Sequence, residues 1–173
     1  MHAFQLWVNL PKPDKMMKPR YQEIPSSEIP KATSSDGLVT VSVIAGEALG
    51  QKAVIETRTP IMYLHFRIKP GGSVIQQMPR EYNGFAYLIE GQGKFGPERE
   101  HAEDGQMVLF AQDGDEVRVE NPADAKATLE VLLIAGSPLN EPVARYGPFV
   151  MNTREEIYQA IEDYRMGKMG QIG

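Results

Sequence analysis

The stretch that decides the fold runs from Gly72 to Gly91 and reads GSVIQQMPREYNGFAYLIEG. It contains two predicted strands, Ser73–Met78 and Gly84–Glu90, each short and rich in apolar residues. Turn-forming residues bound it on both sides, with Pro-Gly-Gly at residues 70–72 and Gly-Gln-Gly at residues 91–93. This pattern indicates short strands that are joined by tight turns.

The same pattern extends from Gly37 to about Gly136. The further predicted strands are Leu38–Ala45, Ile61–Ile68, Gly93–Phe95, Met107–Phe110, Glu116–Asn121 and Thr128–Ala135. The last of them is almost continuously apolar, which is typical of a strand that is buried on both faces. Eight short strands separated by Gly and Pro predict an all-β, antiparallel jelly roll or barrel.

The N-terminal residues 1–36 differ in character from the barrel. Apolar and polar side chains alternate from Phe4 to Leu10, which predicts one strand. From Pro11 to Asp36 the chain is rich in Pro and Ser, as is typical of a linker. We expect this region to precede a barrel at residues 37–150.

Residues 151–173 predict a short C-terminal helix and tail. The sequence TREE at residues 153–156 is a capping box, in which Thr and Glu side chains satisfy the first free amides of a helix. Ile157, Ala160, Ile161 and Tyr164 follow at helical spacing, and Gly167 is a natural stop.

Composition excludes several classes of protein. The 173 residues contain no cysteine, which rules out disulfides and thiolate chemistry. The net charge of −5 disfavours direct binding to nucleic acid. No apolar run reaches the ~20 residues of a membrane span, and MHAFQLWVNL does not resemble a signal peptide. We therefore expect a cytoplasmic protein that does not bind a membrane.

The spacing of Gly72 and Gly91 resembles the first motif of the cupin family. That motif reads Gly, five residues, His-x-His, three or four residues, Glu, six residues and Gly. In this sequence the two His positions hold Met78 and Arg80, and the Glu position holds Gly84. Thioether, guanidinium and hydrogen do not replace the imidazole and carboxylate ligands that such a metal site requires.

The second cupin motif has an approximate counterpart at Gly105 to Asn121, with a one-residue insertion. Its histidine position holds Val117. All four expected ligand positions are therefore non-ligating, and we expect this barrel to bind no metal and no other cofactor.

Three further blocks resemble the pirin family: QLWVNLP at residues 5–11, TRTP at residues 57–60, and GSPLNEPVARYGPFVMNTREEIYQAIEDYRMGKMG at residues 136–170. The resemblance implies two cupin barrels in tandem, of which the first holds iron through three His and one Glu and the second has lost its ligands. The His-Pro-His-Arg and His-Ser-Glu motifs of the first barrel do not occur here. The chain thus resembles only the second half, and the iron is expected only in the first.

For the intact family, the resemblance implies an iron-dependent dioxygenase acting on quercetin or a redox-sensing transcriptional co-regulator. The sequence holds no G-x-S-x-G, Walker or H-E-x-x-H motif, and we assign no catalytic residue. Two hypotheses remain: a non-catalytic half that supports the first barrel, and a binding module for a protein or a small anion.

The candidate ligand-binding residues are Arg80, Tyr82 and His65. A guanidinium at position 80 that points into the barrel needs an anion or a buried partner. Tyr82 lies two residues further on, and His65 shares the polar face of a predicted strand with Tyr63 and Arg67. For Arg80 the alternatives are an internal ion pair, for example to Glu90, and a side chain turned to solvent. For His65 the alternative is a satisfied histidine on the polar face of a strand.

The sequence also predicts an assembly. The strand Phe4–Leu10 belongs, by resemblance, to the absent first barrel, so its edge lacks a partner. An unpaired edge strand on a long connector favours pairing with a second chain. We expect a homodimer through this strand and the C-terminal helix; the alternative is that both fold back on their own barrel.

Overall fold

The computed structural model describes residues 3–170, and the chain forms two compact units. The larger unit is Ile24–Pro138, and the smaller one combines residues 3–23 with residues 139–170. The larger unit contains strands β1 to β12, and the smaller unit contains β13, β14 and the helix α1.

The larger unit consists of two main antiparallel sheets. The first sheet has, in spatial order, β1 (Lys31–Thr33), β2 (Val39–Ala45), β5 (Ile61–Ile68), β12 (Leu129–Gly136), β7 (Asn83–Glu90) and β10 (Met107–Leu109). The second has β6 (Ser73–Gln77), β11 (Glu116–Glu120), β8 (Gln92–Phe95) and β9 (Glu100–Glu103). A short hairpin of β3 (Glu47–Ala48) and β4 (Gln51–Lys52) completes the unit. The expected all-β jelly roll is confirmed.

One apolar core lies between the two sheets. Alternate residues of β2 and β5 are buried because side chains of a strand point to opposite faces in turn. The largest fully buried side chains come from both sheets: Phe66, Phe95, Leu64, Ile68, Leu88, Leu129, Leu133, Val39, Val41, Val43, Val119 and Val131. Burial of this apolar surface is the main stabilising contribution to the unit.

Strand β12 lies inside the first sheet, between β5 and β7. Its residues Val131, Leu132 and Leu133 are buried in succession, so both faces are covered there. The prediction from its continuous apolar run is confirmed at these three positions.

The two glycines that frame the deciding stretch are required by close packing. A Cβ at Gly72 would lie 3.0 Å from Ile68 Cγ2 and 3.0 Å from the Lys69 carbonyl oxygen. Gly91 has φ of +86°, and a Cβ there would lie 2.9 Å from the Thr128 carbonyl oxygen. The spacing of these glycines therefore reflects the packing of the barrel itself.

The smaller unit contains a β-hairpin and one helix. Strands β13 (Ala144–Tyr146) and β14 (Phe149–Met151) pair across a turn at Gly147, and α1 (Arg154–Arg165) follows directly. The predicted capping box is present: the Thr153 hydroxyl accepts from the Glu156 amide, and the Glu156 carboxylate accepts from the Thr153 amide. Among the described residues, no helix has both the length and the apolar character for crossing a membrane.

Lysine side chains attach the N-terminal segment to this hairpin and helix. A short 3-10 helix, Lys12–Asp14, follows Pro11. The Lys12 amide donates to the Glu141 carboxylate (3.0 and 3.2 Å), and Lys12 Nζ lies 3.1 Å from Glu156 Oε1. Lys15 Nζ donates to the Val150 carbonyl oxygen at 3.1 Å.

Several segments differ from the sequence-based expectation, among them the short strands β3, β4, β13 and β14, which were not predicted. Residues 3–10 include the predicted strand Phe4–Leu10, but they form no strand in the structure. None of the described strands pairs with them. The predicted connector contains β1, which pairs with β2, so this part of residues 11–36 belongs to the first sheet. Residues 98–104, which lie outside the predicted strands, contain the edge strand β9, where Glu100, His101 and Glu103 face solvent and Ala102 faces the core. Charged side chains are common on edge strands because they discourage further pairing.

The first prediction separates steric collision from backbone strain. Gly91→Ala and Gly105→Ala both place a side chain at positive φ, but only the Cβ at position 91 meets other atoms within 4 Å. We expect Gly105→Ala to lower the free energy of unfolding by about 1 kcal/mol. Gly91→Ala is expected to cost a further ~1–3 kcal/mol because neighbouring backbone must move. Urea unfolding of both variants measures the difference, and equal losses would contradict it.

The second prediction concerns pH. Bonds from Lys12 and from the Asn152 and Thr153 amides lower the pKa of Glu156. A carboxylate with a lowered folded-state pKa adds stability above its unfolded pKa of about 4.3, and this is lost as pH falls through the folded-state value. Glu156→Gln should therefore destabilise most at neutral pH, and its deficit should shrink below about pH 4.

Thermal unfolding of Glu156→Gln between neutral and acidic pH checks this. Glu155→Gln is the matched control, since Glu155 lies in the same first turn but takes no part in the capping box. If Glu156→Gln lost the same stability at every pH, or if both variants lost the same amount, the charge of Glu156 would not be the source of the stabilisation.

Candidate functional site

A cavity of about 220 Å³ opens at one end of the barrel. Its walls come from the ends of β6, β8, β10 and β11 and from the turns beside them. The residues that line it are Met78, Phe95, Gly96, Pro97, Glu98, Glu100, Val108, Leu109, Phe110, Ala111, Asp113, Gly114, Glu116 and Val117. All of them belong to the larger unit. This cavity is the candidate functional site.

Two of the four positions that the cupin motifs reserve for metal ligands line this cavity, and a third adjoins one of them. Met78 and Val117 are only 4% and 3% exposed and belong to the core. A Cβ at Gly84 would lie 2.8 Å from Met78 Sδ and 3.3 Å from the Ala135 methyl group. The sulfur of Met78 therefore occupies the space that a side chain at position 84 would need.

The chemistry of these side chains does not fit iron. A thioether, a valine side chain and a glycine supply no imidazole or carboxylate at the positions where a cupin holds its metal. Within residues 3–170, no group of three or more His, Cys, Asp or Glu side chains could hold a metal ion. Any chemistry at this cavity must come from apolar contact and from the charges at its rim.

Four carboxylates lie at the rim: Glu98, Glu100, Asp113 and Glu116. All four residues are exposed, and Glu116 Oε2 accepts a hydrogen bond from Gln77 Nε2 at 3.3 Å. None of the described residues that line the cavity carries a positive charge. The cavity thus combines an apolar interior with a negative entrance.

Arg80 does not point into the barrel. It is exposed, and it lies in a turn that closes with a bond from the Tyr82 amide to the Pro79 carbonyl oxygen (2.9 Å). Across residues 3–170, no ion pair or hydrogen bond engages its side chain, so the alternative of an ion pair with Glu90 is not observed. Arg80 lies outside the set of residues that line the cavity.

Tyr82 is half-buried and packs against the apolar core. Burial and, to a smaller extent, the charge of Glu81 raise the pKa of its hydroxyl above the usual value. A tyrosine hydroxyl is already neutral at physiological pH, and the raised pKa extends the pH range in which Tyr82 can donate a hydrogen bond.

His65 lies on the outer face of the first sheet, away from the core. Its Nε2 is 3.3 Å from Glu130 Oε2, without the geometry of a hydrogen bond, and the other Glu130 oxygen is 2.7 Å from Arg67 Nη2. The structure thus places His65 in a polar cluster on a different face from the cavity. Of the three candidate ligand-binding residues, only Arg80 and Tyr82 lie near each other, on one turn.

The aromatic walls of the cavity were not anticipated from the sequence. Phe95 ends β8, while Val108 in β10 and Phe110 just after it are only partly buried. Each belongs to a predicted strand, but only the three-dimensional pairing of the strands brings these side chains together. The one available signal is that apolar residues end three of the predicted strands.

Two facing antiparallel sheets around an apolar core, with a cavity at one end, define the single barrel of the cupin class. Residues 63–170 match the family described as the Pirin C-terminal cupin domain, and the chain belongs to this family. The resemblance to pirins that the sequence indicated is confirmed.

Relatives and solved structures match the chain along nearly its whole length. Pirin of Homo sapiens is 49% identical over 171 residues, which are 98% of this chain and 57% of that protein. A pirin-like protein of Solanum lycopersicum is 46% identical over 168 residues, or 97% and 56%. The crystal structure of a quercetin 2,3-dioxygenase from Acinetobacter baumannii superposes with a TM-score of 0.83 at 31% identity and covers 95% of this chain and 56% of that one. The chain spans about half the length of these proteins.

Proposed function

We propose that this chain is a metal-free, non-catalytic cupin barrel that serves as the supporting half of a pirin-type protein. The packing at one cupin ligand position carries the proposal: the Met78 sulfur takes the space beside Gly84, and Val117 is equally buried. An iron ion there would have to displace packed apolar atoms and would meet no ligand of its own kind.

The proposal assigns chemistry to the part of the relatives that this chain does not span. The Acinetobacter baumannii neighbour is a quercetin 2,3-dioxygenase, and the chain covers 56% of it. In a two-barrel protein of that kind, this barrel would hold the shape of the whole while the other barrel would bind iron and substrate. Cupin fold alone does not imply an activity, because function depends on the residues of the site.

The third prediction tests the absence of iron chemistry. After anaerobic loading with Fe(II) and removal of free metal, we expect far less than one iron per chain and no oxygen-dependent loss of quercetin. The dioxygenase from Acinetobacter baumannii, treated identically, is the positive control. Stoichiometric iron together with quercetin turnover would overturn the proposal. Variants of His65, His101 and Glu103 would then locate the ligands.

A second candidate is a binding module, such as a pirin-like transcriptional co-regulator that acts through a protein partner or a small anion. Exposed apolar side chains at residues 4–8 favour a protein partner: Trp7 is 74% exposed, and Phe4, Leu6 and Val8 are also exposed. For a small anion, Arg80 and Tyr82 supply one charge and one hydroxyl on a single turn, with His65 elsewhere. The genomic sequence upstream of Met1 discriminates between the two candidates. An in-frame His-Pro-His-Arg segment there would favour the first candidate, the supporting half of a pirin-type protein.

The fourth prediction concerns assembly through the same apolar residues. We expect a homodimer in which residues 4–8 and the exposed Tyr158 and Tyr164 of α1 are covered. Leu6→Ser/Trp7→Ser should shift the protein to the mass of one chain, because an apolar contact surface is lost. The anchors at Lys12 and Lys15 remain in this variant, so the smaller unit itself should stay folded.

Light scattering at micromolar concentration measures the mass. Tyr21→Ser is the matched control, since Tyr21 is 77% exposed but lies outside the predicted contact. A wild-type protein that keeps the mass of one chain on concentrating would exclude the dimer and favour residues that fold back on their own chain.

A further inference from the structure

The interior of the cavity has the size and lining of a small aromatic ligand site. Its volume of about 220 Å³ exceeds the ~150 Å³ of an apolar cavity that takes up benzene. Phe95, Phe110 and Met78 supply two rings and a thioether, which pack well against an aromatic ring. The volume suits a single aromatic ring or two fused rings. It is smaller than the ~300 Å³ at which sites for drug-sized ligands usually begin.

Hydrogen bonds hold the walls of the cavity in place. The Met78 amide donates to the Asp115 carbonyl oxygen (2.9 Å), and the Phe110 amide donates to the Gly84 carbonyl oxygen (3.0 Å). Gln112 Nε2 donates to the Glu81 carbonyl oxygen at 2.9 Å and so attaches the loop before β11 to the turn before β7. A preformed site favours binding because little of the binding free energy is used to order it.

Charge at the entrance selects the ligand further. Glu98, Glu100, Asp113 and Glu116 give the rim four negative charges, and the described lining residues include no Lys, Arg or His. This field attracts a cation and repels a carboxylate or phosphate. A site at Arg80 would instead prefer an anion. Comparing a cationic with an anionic ligand therefore distinguishes binding in the cavity from binding at Arg80.

We propose that this cavity binds a small aryl amine cation, with one or two rings among Met78, Phe95 and Phe110 and the protonated amine at the rim carboxylates. The ligand occupies a cavity whose lining includes Met78 and Val117, two of the positions that hold metal ligands in other cupins, and it needs no metal itself. The proposal goes beyond the supporting role, because a barrel without iron chemistry can still bind a small molecule.

Tryptamine is a suitable probe because it carries two fused rings and a protonated amine, and indole-3-acetate is its anionic counterpart. With [methyl-13C]methionine-labelled protein, we expect tryptamine to shift the Met78 methyl resonance, assigned with Met78→Leu, with a Kd on the order of millimolar or below. Indole-3-acetate should bind at least about tenfold more weakly. No shift of the Met78 signal at 10 mM tryptamine, or equal affinity for both compounds, would overturn the proposal.

Two variants test the two features separately. Val108→Trp fills the cavity and should abolish the shift, with a melting curve to show that the barrel is folded. Glu98→Gln/Asp113→Asn removes two rim charges and should reduce the preference for tryptamine over indole-3-acetate at least threefold. Glu28→Gln/Asp104→Asn makes the same charge change away from the cavity and should leave that preference unchanged. An unchanged preference in the rim variant, or undiminished binding in folded Val108→Trp, would refute the site.

Discussion

Close packing between Met78 and Gly84 is the constraint on which the rest of this barrel depends. A Cβ at position 84 would lie 2.8 Å from the Met78 sulfur, so packed atoms fill the space between these two positions. Met78 directly follows β6 and Gly84 lies in β7, and these two strands belong to different sheets. The Phe110 amide donates to the Gly84 carbonyl oxygen. The contact therefore joins the two sheets at the cavity and sets the shape of its inner end.

The backbone frame was predictable because its signals are local. β5 runs from Ile61 to Ile68 as predicted. The sequence shows its signals directly, because apolar residues recur at every second position and prolines lie on both sides. The capping box at Thr153 is likewise a local pattern. Residues 3–10 show the limit of such reasoning: apolar and polar side chains alternate there as in a strand, but no described strand of this chain pairs with them.

The candidate site was harder to predict because it depends on where side chains point. Motif spacing assigned Met78, Arg80, Gly84 and Val117 to one set of ligand positions, and the structure buries all of them except Arg80. The turn at residues 79–82 directs Arg80 outward, and solvation of a guanidinium outside an apolar core is strongly favoured. The rim carboxylates were visible only as scattered charges, because Glu98 and Asp113 are separated in sequence and line the same cavity only in the folded chain.

The residues at positions 78 and 84 depend on each other because their atoms are in contact. A carboxylate at position 84 would collide with the Met78 sulfur and would be surrounded by apolar atoms such as the Ala135 methyl group, where a charge without a partner is costly. A histidine at position 78 would remove the sulfur and leave space beside a glycine. Each position is thus compatible with the present state of the other, and contacting residues of this kind do not contribute additively to stability. The glycine frame at Gly72 and Gly91 is independent of both, because backbone and side-chain contacts of the barrel itself require it.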